Sequence, residues 1–153
     1  MFTKMLKRSV WLSALVFAMP LCMAIAQTVL PTIQLKAGRH YVKAEVAATL
    51  DSRDRGLMDR HSLPADRGML FVFPEAHRHC MWMHNTSIPL SVAFIDDKGT
   101  IVNIADMKPD TENYHCAARP VRYALEMNAG WFRKKGVDTG SRISGLENAP
   151  PGQ

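Results

Sequence analysis

Hydrophobic and polar positions along this chain follow the short periods of β-strands far more often than the longer period of helices. Val42, Ala44 and Val46 alternate with Tyr41, Lys43 and Glu45, the pattern of a half-buried strand. With the extended residues 28–35 and the turn Ala37-Gly38-Arg39, this predicts two opening strands. The period changes over residues 49–60, where Asp51 can cap a short helix that Gly56 weakens. Residues 69–73 are a continuous apolar run ending at Pro74, which reads as a strand buried on both faces. Strands are also expected at the Cys80 to His84 stretch and at 88–95, 100–105, 121–127 and 142–146. Asp96-Asp97-Lys98-Gly99 makes a hairpin of the second and third of these, and Asn85-Thr86-Ser87 a turn. Residues 129–135 read as a turn or two of helix with Gly136 just past its end, and 107–119 as a long surface connection. The class that follows is mainly β, a compact antiparallel sandwich or barrel of seven or eight short strands with two short helices.

The N-terminus follows a different rule. Lys4, Lys7 and Arg8 precede an apolar run that ends in Ala24-Ile25-Ala26, the layout of a secretory signal with small residues at its exit. The expected organisation is a signal peptide at 1–26, one β-rich domain at 27–147 and a disordered tail at 148–153 with Pro150-Pro151-Gly152. Cleavage after Ala26 leaves 127 residues carrying 16 basic and 14 acidic side chains, a net charge of +2. The basic character of the precursor therefore resides largely in the signal, and nothing calls for nucleic acid as a partner. Pro20 interrupts a run barely long enough to span a bilayer, so no stable membrane span is expected after cleavage. The expected location is the periplasm or the outside of the cell. Removing the signal also removes Cys22, which leaves Cys80 and Cys116 as a pair for one disulfide in an oxidising compartment.

Four runs in order carry a family resemblance: Arg55-Gly56-Leu57-Met58-Asp59-Arg60, Gly68-Met69-Leu70-Phe71-Val72-Phe73, Trp82-Met83-His84-Asn85-Thr86 with Ile88-Pro89-Leu90, and Tyr123-Ala124-Leu125-Glu126-Met127-Asn128-Ala129-Gly130-Trp131-Phe132. Together they resemble the domain-of-unknown-function 192 family, also called uncharacterised protein family 0127, over nearly the whole mature chain. The resemblance implies a compact β-rich domain, often exported, and brings no activity with it. The family pattern usually has Lys where this chain has His84, so a fixed positive charge there would be only partly supplied near neutral pH.

Candidate chemistry concentrates in two places. If residues 79–84 are extended, His79, Met81 and Met83 share one face and Cys80, Trp82 and His84 the other. The second face is expected to be the core side, with the Trp82 indole covering the disulfide. The first offers an imidazole and two thioethers, soft donors suited to Cu(I), with His77 as a fourth. The bland alternative is Met as core filler and no cofactor at all. Elsewhere, Glu126 and Asn128 share a face of their strand. With Arg55, Arg60, Asn85, Thr86 and Trp131 they could line a polar cleft for a small ligand or peptide. The competing structural role is an ion pair between Glu126 and an arginine, with Asn85 and Thr86 simply turning the chain. No Gly-x-Ser-x-Gly, His-Glu-x-x-His or phosphate loop occurs, so no catalytic residue is read from the sequence. The expectation is a non-catalytic binding or accessory module with a small molecule or an envelope protein as partner. Its alternatives are a Cu(I)-binding protein and an enzyme built around Glu126.

Overall fold

The computed structural model describes residues 29–153. The segment read as an export signal lies outside the described residues. Strands β1 (Thr32–Ala37) and β2 (His40–Ala47) form the opening hairpin around Gly38. Helix α1 (Leu50–Arg55) begins at Thr49, whose hydroxyl accepts the Ser52 amide proton. Thr49, and not Asp51, is therefore the cap; Asp51 sits in the first turn, where its charge suits the helix dipole.

Next come β3 (Arg67–His77), β4 (Cys80–Met81), β5 (Leu90–Ile95), β6 (Ile101–Met107), β7 (His115–Cys116), β8 (Val121–Asn128), helix α2 (Trp131–Lys135) and β9 (Ile143–Ser144). β3 runs on through Pro74, beyond the end read from the sequence, because its pairing with β8 shifts register between Val72 and His77 and tolerates a missing amide there.

Seven strands make one sheet in the order β6-β5-β8-β3-β2-β1-β9. Neighbours are antiparallel except β2 and β3, which run parallel because the α1 crossover separates them. The sheet curls until its edges meet: Thr100 bridges to Arg142, Ile101 N donates to Ser141 O, and Ile143 N donates to Gly99 O. The result is a mainly β barrel, one of the two architectures the pattern allowed.

Alternation along the strands divides the apolar side chains into two cores. The inner core holds Leu35, Val42, Val46, Leu70, Ile95, Leu125 and Met127, and α2 buries Trp131 and Phe132 against it. The outer core holds Met69, Phe71, Phe73, Val92, Phe94 and Ala124, covered by Leu57, Leu63, Met83 and Ile88 from the loops. Every residue of 69–73 is buried, as its unbroken apolar run requires.

The C-terminal tail is not the free end its composition implies. Leu146–Asn148 forms a 3-10 turn, Gln153 N donates to Ala48 O at 2.8 Å, and Arg53 Nη2 donates to Gln153 O at 2.7 Å. Proline stiffness lowers the entropic cost of laying these residues along β3, where Gly152 packs against the Phe73 and Pro74 backbone.

Candidate functional site

Glu126 occupies the middle of β8 on the outer face, with Ala124 and Asn128 on the same side and Leu125 and Met127 on the other. Register places Glu45, Met69, Glu126, Val92 and Ala105 in one row across five strands. Glu126 is only 3% exposed. Burial alone pushes its carboxyl up to about 8, so it is largely protonated at neutral pH.

The expected arginine partner goes elsewhere. Arg60 Nη1 and Nη2 donate to Glu45 Oε1 and Oε2 at 2.7 and 2.6 Å, a two-pronged pair that raises the Arg60 pKa. Glu45 stands two strands from Glu126, roughly 10 Å across the sheet, with Met69 between them. Arg55 pairs with Asp59 in solvent and takes no part.

Loops roof this row. Asn128 Nδ2 donates to Leu63 O at 2.8 Å and Pro64 O at 3.3 Å, tying the first loop down. Asp59 N donates to Asn85 O, and Ser87 Oγ to Arg60 O, stitching that loop to the turn at 84–87. Asn85 takes a left-handed φ of 49°, and buried Thr86 closes the turn by donating to His84 O. Arg60, Asn85, Thr86, Glu126 and Asn128 thus belong to one neighbourhood: a roofed acid and not an open cleft. Of these, Trp131 meets only Asn128, across a surface hollow. It packs in the inner core, and its Nε1 donates to Asp66 Oδ1 at 3.1 Å. That bond, and Lys135 beside it, hold the Asp66 carboxyl below its usual range. A surface hollow of about 240 Å³ lies there, between Asp66, Asn128, Trp131 and Lys135.

The stretch 79–84 alternates as read, but with inside and outside exchanged. His79 and Met81 are half-buried and Met83 is fully buried in the outer core. Cys80, Trp82 and His84 turn toward solvent. His79 stacks on Phe73 with ring centroids 3.6 Å apart, and its Nε2 lies 3.1 Å from Glu75 O. Desolvation lowers its pKa. A Cu(I) ion on this face would have to part His79 from both contacts and reach a Met83 that fills the core. Among the described residues no cluster of three His, Cys, Asp or Glu side chains is gathered for a metal.

On the outward face, the β4–β7 ribbon and the residues just past it bring three pairs of side chains together. Cys80 and Cys116 stand directly opposite each other and form the disulfide. Pairing ends at Met81 and His115, and just past it the Trp82 and Tyr114 rings lie parallel within 5° with centroids 5.8 Å apart. Then come His84 and Glu112, with Nδ1 2.8 Å from Oε1. His84 also stacks on Trp82, centroids 4.9 Å apart. Trp82 remains 40% and Tyr114 69% exposed. Tyr114 and Glu112 were not singled out in the sequence, and strand pairing does not point to them: it stops at Met81 and His115, beyond which the Met83 amide donates to Thr111 O.

The DUF192 family profile, described as an uncharacterized ACR, matches residues 32–145. A solved structure from Sinorhizobium meliloti 1021, labelled provisionally as a transcription regulator, is 37% identical, with a TM-score of 0.69 over 74% of this chain and 91% of that one. A protein of unknown function from Novosphingobium aromaticivorans DSM 12444 is 31% identical, with a TM-score of 0.73 over 75% and 86% respectively. No curated protein matches the sequence.

Proposed function

The chain belongs to the DUF192 family, whose activity is uncharacterised, and on that premise we propose that it is an exported, non-catalytic binding or accessory module of the cell envelope. The observation that carries the binding part is the outward ladder. A fold that buries Phe71, Phe94 and Phe132 leaves Trp82 and Tyr114 in water, on a ribbon held rigid by a disulfide and an imidazole–carboxylate contact. Aromatic side chains ordered before contact lose little entropy on binding. Export draws support from the basic, apolar and small-residue order of 1–26, and from an exposed disulfide that a reducing cytosol would open. The regulator label of the Sinorhizobium relative finds little support, since the mature chain carries a net +2 and its two helices have only six and five residues.

Mass spectrometry of the protein expressed with its full N-terminus tests the export part. A product beginning at Gln27 with Cys80 and Cys116 oxidised is expected; an uncut, reduced chain in the cytosol overturns it. A photocrosslinker in place of His84 should capture an envelope component, and one in place of exposed Leu50 should not.

A second reading rests on Glu126, a carboxyl that holds its proton to about pH 8 and could act as a general acid. It requires a turnover that falls above that pH and disappears in Glu126→Gln.

A further inference from the structure

We propose that the outer face of the β1–β2 hairpin, with the start of β3, is a docking surface for an anionic phospholipid membrane. This face lies apart from the Trp82–Tyr114 ladder, and its role does not depend on what that ladder binds. Leu35, Ala37, Val42 and Ala44 fill the inner core, so alternation turns Lys36, Tyr41 and Lys43 outward. Arg67 points the same way, two residues before Met69 of the outer core. Pairing sets Lys36 opposite Tyr41 and Lys43 beside Arg67. Arg39 stands in the hairpin turn at the same end of the sheet, and all five side chains are exposed.

These cations have no counter-charge. None of Lys36, Arg39, Lys43 and Arg67 joins an ion pair among the described residues. The carboxylates next to them in the chain are already engaged. Glu45, two residues on from Lys43, holds both prongs of Arg60, and Asp66, beside Arg67, holds Trp131 and Lys135. Lys36 turns instead to the Tyr41 ring, its Nζ 5.8 Å from the centroid. Like charges on neighbouring strands, whose backbones run about 5 Å apart, repel one another. The Lys43–Arg67 pair therefore costs stability in the isolated protein and gains from an external anion. The mature chain carries a net charge of only +2, so four uncompensated cations on one face are a local concentration of field and not general basicity.

Shape and Tyr41 identify the occupant. None of the four cations lines the hollow beside Trp131 or the one between Asp106 and Phe132. They ride on the outside of a curled sheet, with no walls to seat a peptide or a single polyanionic chain. Long cationic side chains on a convex face suit a surface of many phosphates, which each can reach separately. Tyr41 stands among them 60% exposed, an apolar ring with a polar tip, the kind of side chain that settles among lipid headgroups. The contact is peripheral, since no helix among the described residues is long and apolar enough to cross a membrane.

Co-sedimentation of the mature protein with vesicles tests the inference, using a mixture of phosphatidylglycerol with phosphatidylcholine and, separately, phosphatidylcholine alone. Binding to the anionic vesicles only, weakening as salt is added, is expected. Lys43→Gln/Arg67→Gln should weaken it at least about tenfold, because each cation near an anionic surface is worth about fivefold. The same variant should melt no lower than wild type, since it relieves a repulsion. Lys98→Gln/Lys108→Gln removes the same charge from exposed positions elsewhere and should stay within about threefold of wild type. Equal binding to both kinds of vesicle overturns the inference, as does an equal loss in the two double variants. Soluble polyphosphate bound as tightly, per phosphate, as the anionic vesicles would also overturn it, by making the ligand a polyanion and not a membrane. Crosslinking from position 84 should be unchanged in Lys43→Gln/Arg67→Gln, so failure of this face and failure of the ladder are read separately.

Discussion

At the scale of single residues, Glu126 has the clearest consequence. Its folded carboxyl keeps a proton to about pH 8, while an ordinary one loses it near 4.5. Between those values the folded state binds the extra proton, so stability is greatest below 4.5 and falls as pH rises, by up to about 1.4 kcal/mol per pH unit. Urea denaturation of wild type and Glu126→Gln at pH 5, 7 and 9 should show curves close together at the lowest pH and the variant increasingly the more stable above it. Parallel pH profiles would mean that the carboxyl is not desolvated. Arg60 acts the other way: Arg60→Ala leaves Glu45 without its partner on a partly covered face, and a loss of about 1–2 kcal/mol is expected in the same assay.

At the scale of elements, the ribbon is the weakest sheet and the most dependent on its staples. β4 and β7 contribute two residues each, and the disulfide joins positions 36 apart in sequence. Its loss in a Cys80→Ser/Cys116→Ser variant should cost about 3–4 kcal/mol. Hydrogen exchange at the amides of Met83 and Ala117, which bond across the ribbon to Thr111 and His79, should accelerate before that of β8. The strands themselves were legible because they follow period two: β2, β5, β6 and β8 fall within a residue or two of their patterns. The site was less legible. Alternation divided 79–84 correctly, but which half faces the core depends on what covers the sheet, and alternation carries no sign. That Glu126 and Asn128 share a face was readable for the same reason. That Arg60 reaches Glu45 was not, because the long excursion between β2 and β3 leaves the placement of its side chains to tertiary packing. The tail misled for a compositional reason: Pro150, Pro151 and Gly152 read as free chain until Arg53 and Ala48 supply their partners.

At the scale of the whole molecule, the barrel depends on one irregular seam where the Asp96 to Thr100 turn meets the residues around β9. Gly99 holds a φ of 82° there, and a Cβ on it would sit 2.5 Å from Ile143 O. Gly99→Ala should therefore destabilise the protein by more than about 1 kcal/mol, measured by chemical denaturation, whereas the same change at open Gly140 pays only the backbone strain. Removing residues 149–153 should cost about 1–3 kcal/mol through the lost bonds to Ala48 and Arg53. The seam also sets an order of events. Its contacts join residues near 36 to residues near 144, the longest sequence separation among the sheet's pairings, and residues near 100 to residues near 142. Such contacts form late and slowly, and none can form until the last strand has left the ribosome. On the export reading, the barrel thus cannot close before its last strand is made, which leaves the seam open to threading across a membrane until then.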